Sequence, residues 1–122
     1  MENLDLRCAE FGKEIADKAD EKLLTDALSV LEEQGVYAFF LFLKDRGNEQ
    51  RSKIIDSCRE FLEQTPEAGP VFAAGGENDP FPALQELAND LDTLLLARDL
   101  LRQGLVYGRY HAKAAGTSGA KG

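Results

Sequence analysis

The chain has 122 residues, of which 22 are acidic and 14 basic, with one histidine and a net charge of −8. With 43% apolar residues, a chain of this length can form one domain with its own core, without disulfides or structural metals. An excess of negative charge this large excludes general coating of nucleic acid or of an anionic membrane, so any such contact requires a local basic patch.

The composition favours an all-α domain. Leucine and alanine supply 18 and 15 residues, whereas the β-branched valine and isoleucine together supply only 7, and β-branched residues carry most strand preference. The chain start lacks the charged and apolar segments of a secretory leader, so we expect a cytoplasmic protein with reduced, buried cysteines at Cys8 and Cys58. The longest apolar run, Val36–Leu43, is far shorter than the roughly 20 residues that cross a bilayer.

The first third of the chain predicts helix. Apolar residues recur every three or four positions between Leu4 and Gln34, which indicates either one long amphipathic helix or two shorter ones. A break would fall at 17–21, with Asp20 as the N-cap of the second helix. Gly35 follows the last periodic residue, where a C-cap glycine is expected.

The segment Val36–Lys44 fits a buried strand by its aromatic content and a short central helix by its length and flanks. We predict a helix, because a lone strand would have no partner in this chain. Asp45–Gly47 then ends the helix, and Asn48 is the predicted N-cap of an amphipathic helix over Glu49–Gln64. Thr65 and Pro66 end that helix.

All four prolines lie between Pro66 and Pro82, so we predict a long loop at 65–81 within a single domain that spans 1–115. Loops of this length are often functional, but an inserted tether without a function is an equal alternative. Val71 and Phe72 in this loop could anchor it to the core or to a partner.

The last element is predicted to be one long helix. From Pro82 to Ala115, leucines and small residues recur in the three-and-four spacing of a heptad, and the helix would be on the order of 50 Å long. The small, polar tail at 116–122 is predicted to be disordered. The whole is a compact bundle of four to six helices, packed pairwise as antiparallel neighbours.

The sequence gives little support for a catalytic site. His111 has no second histidine for a metal site, and the glycine pairs do not match phosphate-binding loops. Two pairs of helical carboxylates resemble those of magnesium-dependent nucleotide hydrolases, but in a chain this acidic a solvated face explains them better. We therefore predict a protein that is not an enzyme and has no metal or cofactor. The carboxylate pairs are Glu60 with Glu63 and Asp90 with Asp92.

Charge is unevenly distributed along the chain. Residues 97–122 carry a net charge of +4, so residues 1–96 carry −12. Four cations of the last helix fall within an arc of about 60° at about 100° per residue, and we call them the basic stripe. The basic stripe consists of Arg98, Arg102, Arg109 and Lys113, accompanied round the helix by Tyr107 and Tyr110.

The basic stripe has two interpretations. Its cations suit a phosphate backbone, and the tyrosines could stack on exposed bases. Alternatively, the cations complement the acidic surface of the rest of the protein or the negative end of their own helix. Another face of the same helix, which we call the helix seam, would let a second backbone approach closely and is the candidate subunit interface. The helix seam consists of Leu101, Gly104, Leu105 and Gly108.

Two blocks of sequence resemble the small helical subunit of type III CRISPR effector complexes, particularly that of the Cmr branch. The first is Gly-Val-Tyr-Ala-Phe-Phe-Leu-Phe-Leu-Lys at 35–44. The second is Leu-Leu-Ala-Arg-Asp-Leu-Leu-Arg-Gln-Gly-Leu-Val-Tyr-Gly-Arg-Tyr-His-Ala-Lys at 95–113. Members of that family often look more basic than this chain.

The resemblance implies a non-catalytic subunit that stacks with copies of itself and with other effector subunits, and that supports crRNA and target RNA through a basic surface. On this chain that surface corresponds to the basic stripe with Tyr107 and Tyr110. The alternative is a helical protein-interaction adaptor, or a self-associating bundle, that docks through the helix seam and does not contact nucleic acid.

Overall fold

The computed structural model describes residues 2–45, 47–73 and 79–121, with side chains up to residue 115. Over these residues the chain forms six helices and no strand, which confirms the all-α bundle with one long C-terminal helix. None of the described helices is both long enough and apolar enough to cross a bilayer. The helices are α1 (Leu4–Ala16), α2 (Glu21–Gln34), α3 (Val36–Leu43), α4 (Glu49–Gln64), α5 (Phe81–Leu87) and α6 (Leu91–Lys121).

Side-chain caps set the starts of α1, α2 and α4. The carboxylate of Asp20 accepts a hydrogen bond from the backbone N–H of Leu23 at 2.8 Å, and Asn48 caps α4 in the same way. Asn3 caps α1. Each cap satisfies a backbone donor that has no partner within its helix. Of the two alternatives left open for the first third of the chain, the structure therefore has the two shorter helices, with Asp20 as the N-cap of the second.

Gly35 joins α2 directly to α3. Its φ of 97° lies in the left-handed region, which glycine adopts without the steric cost that a Cβ would bring. The segment after it is helical, as predicted, and α3 buries Val36, Phe39, Phe40 and Leu43.

The predicted single helix from Pro82 is wrong at its start, because α5 and α6 are separate. The carboxylate of Asp90 accepts hydrogen bonds from the backbone N–H of Thr93 at 3.2 Å and from its hydroxyl at 2.7 Å, so Asp90 begins a new helix as its N-cap. The apolar spacing from Leu87 to Leu91 runs unbroken across this turn and conceals it.

Helix α6 is described to Lys121 by its backbone and to residue 115 by its side chains. The disordered tail predicted at 116–122 stays a prediction. Two parts of the sequence predictions, residues 74–78 of the loop and Gly122 of the tail, lie outside the described residues.

Helices α1 and α6 run parallel, contrary to the predicted antiparallel neighbours. The thiol of Cys8 donates to the carbonyl oxygen of Leu100 at 3.6 Å, and Phe11 and Ile15 of α1 lie against Gly104 and Gly108 of α6. The contacts therefore advance along both helices in the same direction. Spacing within each helix does not contain this information, since it identifies an apolar face and not the direction of the partner helix.

The two helices touch through glycine. A Cβ at Gly12 would lie 2.6 Å from the Cβ of Tyr107 and 2.8 Å from the carbonyl oxygen of Gly104. Cα hydrogens at these positions let the two backbones come closer than side chains of ordinary size permit.

Aromatic side chains fill the space between the helices. The rings of Phe11 and Phe61 stack at 4.2 Å between centroids and join α1 to α4. Phe72 of the long loop is 3% exposed and lies 6.2 Å from the ring of Phe40, while its backbone N–H donates to Leu62. The loop is therefore anchored to the core at Phe72.

We predict that Gly12→Ala lowers the free energy of unfolding by about 2 to 3 kcal/mol, because the methyl group meets backbone that can move only if the two helices separate. Gly69→Ala is the matched control, since a Cβ there has no atom within 4 Å. Urea unfolding followed by circular dichroism measures both. Equal stability of the two variants would show that α1 and α6 do not approach in this way.

Both cysteines are buried and neither forms a disulfide, as expected. Burial raises the pKa of the Cys8 thiol to about 11, with a smaller contribution from Asp5, and burial raises the pKa of Cys58 further. Because the thiolate is the reactive form, we predict that neither cysteine reacts readily with Ellman's reagent at about pH 8, whereas both react in guanidinium chloride. Rapid labelling of the native chain would contradict this packing.

Candidate nucleic-acid interface on the long helix

The N-terminal half of the basic stripe lies against the end of α2. The guanidinium of Arg98 donates to the carbonyl oxygen of Glu32 at 3.4 Å, and Nε of Arg102 lies 3.5 Å from the Glu32 carboxylate. The side chains of Arg102 and Glu32 are 49% and 44% exposed, so water screens their attraction and the pair contributes little to stability. Arg102 thus meets an acidic side chain, as the second interpretation of the basic stripe expects, whereas Arg98 meets a backbone carbonyl near the end of α2.

The C-terminal half of the basic stripe has a different environment. Lys113 is exposed and Arg109 is half-buried, and among the described residues neither forms an ion pair. The buried Nε of Arg109 also has no hydrogen-bond acceptor in that part of the chain. These two cations, one helical turn apart, can therefore accept an anionic partner without first breaking an ion pair described in the structure.

The two tyrosines are placed differently. The hydroxyl of Tyr107 lies 2.8 and 3.0 Å from the two carboxylate oxygens of Asp5, so its ring lies along α1 and not beside the basic stripe. The hydrogen bond to Asp5 raises the pKa of Tyr107, and burial adds to this. Tyr110 is 69% exposed and is free to stack on a planar partner.

The helix seam is not a subunit interface. Leu101 and Leu105 are fully buried, while Gly104 and Gly108 lie against Phe11 and Ile15 of the same chain. The close backbone approach predicted for these glycines is present, but its partner is α1. This prediction is wrong because heptad spacing identifies a buried face without identifying what covers it.

The helical carboxylates do not converge. Nη1 of Arg59 lies 3.2 and 3.1 Å from the two carboxylate oxygens of Glu63, and their side chains are only 11% and 18% exposed. The carboxylate of Asp90 is the N-cap of α6, and the hydrogen bonds that it accepts from Thr93 lower its pKa. Glu60 and Asp92 are exposed, as is His111. Among the described residues no three histidine, cysteine or acidic side chains are placed to share a metal ion.

A cavity of about 500 Å³ lies between the C-terminal part of α4, residues 71–73, α5 and the start of α6. It escaped the sequence analysis because its walls come from four segments that are far apart along the chain. The sequence signal that could have pointed to it is the set of carboxylates around the long loop. Those that line the cavity are Glu63, Asp79, Glu86 and Asp90.

Comparison of the chain with protein-family models, with curated proteins and with solved structures finds no match.

We predict that Glu63→Gln lowers the free energy of unfolding by about 2 kcal/mol, because it leaves the nearly buried guanidinium of Arg59 without its main counter-charge. Glu32→Gln is the matched control. It removes the exposed partner of Arg102 and should change stability by less than about 0.5 kcal/mol. Chemical denaturation measures both, and a larger effect for Glu32→Gln would mean that the basic stripe is structural.

Proposed function

We propose that the chain is a non-catalytic structural subunit of a type III CRISPR ribonucleoprotein, which stacks with other subunits and supports crRNA and target RNA through the basic stripe. The observation that carries this proposal is the end of α6, where Arg109, Lys113 and the exposed ring of Tyr110 lie within one turn of each other. The resemblance of the blocks at 35–44 and 95–113 supports it, because the first block forms α3 and the second forms most of the described side chains of α6.

The chemistry of these side chains suits RNA. A guanidinium donates two parallel hydrogen bonds to a phosphate, and an ammonium adds a second positive charge. A tyrosine ring beside them can stack on a base that is not paired, whatever its identity. The surface would therefore contact RNA without reading its sequence.

The charge balance makes this contact dependent on assembly. Each phosphate that the protein neutralises contributes about 0.7 to 0.9 to the slope of log affinity against log salt, so two to four cations give a shallow slope and a weak interaction. The remaining residues, 1–96, carry a charge of −12 and repel a polyanion at long range. Neighbouring subunits would have to hold the RNA before this chain contacts it.

Arg98 and Arg102 can join the contact in the assembled state. Arg102 pairs with the Glu32 carboxylate in a solvent-exposed arrangement, and exposed ion pairs contribute about 0 to 1 kcal/mol, so exchange of that carboxylate for an RNA phosphate costs little. Arg98 donates to the backbone carbonyl oxygen of Glu32 at 3.4 Å, and it would have to give up that one hydrogen bond.

We predict that Arg109→Glu combined with Lys113→Glu leaves the fold intact and weakens assembly on guide RNA with purified partner subunits, with a salt slope shallower by about 2. Lys22→Glu combined with Lys53→Glu is the matched control, because it makes the same change in charge at exposed positions on α2 and α4. Assembly followed by native gel electrophoresis over a series of salt concentrations measures the effect.

Unchanged assembly in the α6 variant would contradict the RNA-supporting role. The alternative, a helical interaction module without nucleic acid, is favoured by a different surface, since Leu91 and Leu95 lie one turn apart on α6 and are 66% and 46% exposed. That alternative predicts that Leu95→Lys abolishes partner binding while the charge-reversed α6 variant binds normally.

A further inference from the structure

We propose that the end of α2 competes with RNA for the N-terminal half of the basic stripe, with the carboxylate of Glu32 in the place of a phosphate. This inference rests on the proposed function and adds a regulation of the same surface. It separates the basic stripe into a half that is open in the free chain and a half that RNA has to win from α2.

Glu32 presents two acceptors to two arginines that are one helical turn apart. Its backbone carbonyl oxygen accepts a hydrogen bond from the guanidinium of Arg98 at 3.4 Å, and its carboxylate lies 3.5 Å from Nε of Arg102. Helix α2 has no basic residue in its last turn, so the negative end of its dipole attracts both arginines as well. In the free chain, the end of α2 therefore supplies negative charge where RNA would supply it in the assembly.

The carboxylate of Glu32 is the competing group. A carboxylate and a phosphate both accept charge-assisted hydrogen bonds from a guanidinium, so they compete for the same N–H groups of Arg102. In the part of the chain that the structure describes, Arg102 has no other ion pair. Removal of this one carboxylate therefore frees the arginine.

The pair between Arg102 and Glu32 is open enough for RNA to displace it. The two side chains are 49% and 44% exposed, so the carboxylate that RNA displaces returns to water and is not left buried without a partner. The pair between Arg59 and Glu63 is the contrast, because its side chains are only 11% and 18% exposed and its separation would leave a charge in a poorly hydrated place.

The test is Glu32→Gln in the assembly assay on guide RNA with purified partner subunits. The amide keeps the size of the side chain and leaves the backbone carbonyl for Arg98, but it removes the competing charge. We expect the affinity for RNA to rise about two- to fivefold, which is the range that one exposed ion pair permits.

Glu33→Gln is the matched control. It removes the same charge from the next residue of α2, which is exposed and whose carboxylate pairs with no cation among the described residues. Because only a long-range, salt-screened repulsion is lost, the affinity for RNA should rise less than about 1.5-fold.

Arg102→Gln completes a double-mutant cycle with Glu32→Gln. The gain in affinity should disappear in the double variant, since the competition needs both side chains. Equal effects of Glu32→Gln and Glu33→Gln, or a gain that persists without Arg102, would overturn the inference.

The charge-reversed variant Arg109→Glu with Lys113→Glu, measured in the same assay, reports on the proposed function separately. If this variant weakens assembly while Glu32→Gln behaves like its control, the competition by α2 is wrong and the RNA-supporting role stands. If this variant assembles normally, the RNA-supporting role is wrong, and the competition by α2 is wrong with it.

Discussion

The contact between α1 and α6 determines which face of α6 is buried and which carries its cations. Gly12 of α1 and Gly104 and Gly108 of α6 bring the two backbones together, and the surrounding leucines and phenylalanines are then buried on both sides of the contact. Because one face of α6 is covered by α1, the cations of α6 can occupy only the remaining surface. The same contact directs Tyr107 along α1 to Asp5 and leaves Tyr110 exposed.

The arginines of this fold have different physical roles, which depend on where each side chain lies. Arg59 is nearly buried and depends on Glu63, so that pair holds the C-terminal part of α4 together. Arg51 lies over the ring of Phe42 and donates to the carbonyl oxygen of the same residue, which fixes the turn between α3 and α4. Arg102 is exposed and only loosely held by Glu32. Burial therefore distinguishes Arg59 and Arg51, whose side chains are 11% and 25% exposed, from Arg102, whose side chain is 49% exposed.

Local chemistry made most of the fold predictable. Asp20 and Asn48 cap helices as their residue types indicate, Gly35 ends α2, and the aromatic segment after it is helical. What could not be predicted depends on contacts between distant residues. The turn at Asp90 has the same apolar spacing as a continuous helix, and the partner of the helix seam is fixed by how α1 packs and not by any pattern within α6.

The candidate site was predictable to the extent that it depends on one helix. Helical geometry placed Arg98, Arg102, Arg109 and Lys113 on one side of α6, but it could not show that the first two meet Glu32, because α2 lies more than sixty positions earlier in the sequence. Tyr107 was grouped with the basic stripe for the same reason. The cavity could not be predicted from the sequence, because its walls come from four separate segments that meet only in the folded chain.

The cavity lies at the start of α6, whereas Arg109 and Lys113 of the basic stripe lie towards its C-terminal end. The two ends of the helix therefore differ in charge. At 1.5 Å per residue, Asp90 and Arg109 are about 28 Å apart along the helix, which is more than three Debye lengths of about 8 Å at physiological salt. At that separation the charges at one end of α6 have little influence on the field at the other end. Under the proposed function, an RNA phosphate would be attracted by Arg109 and Lys113 and repelled by the carboxylates near the start of α6.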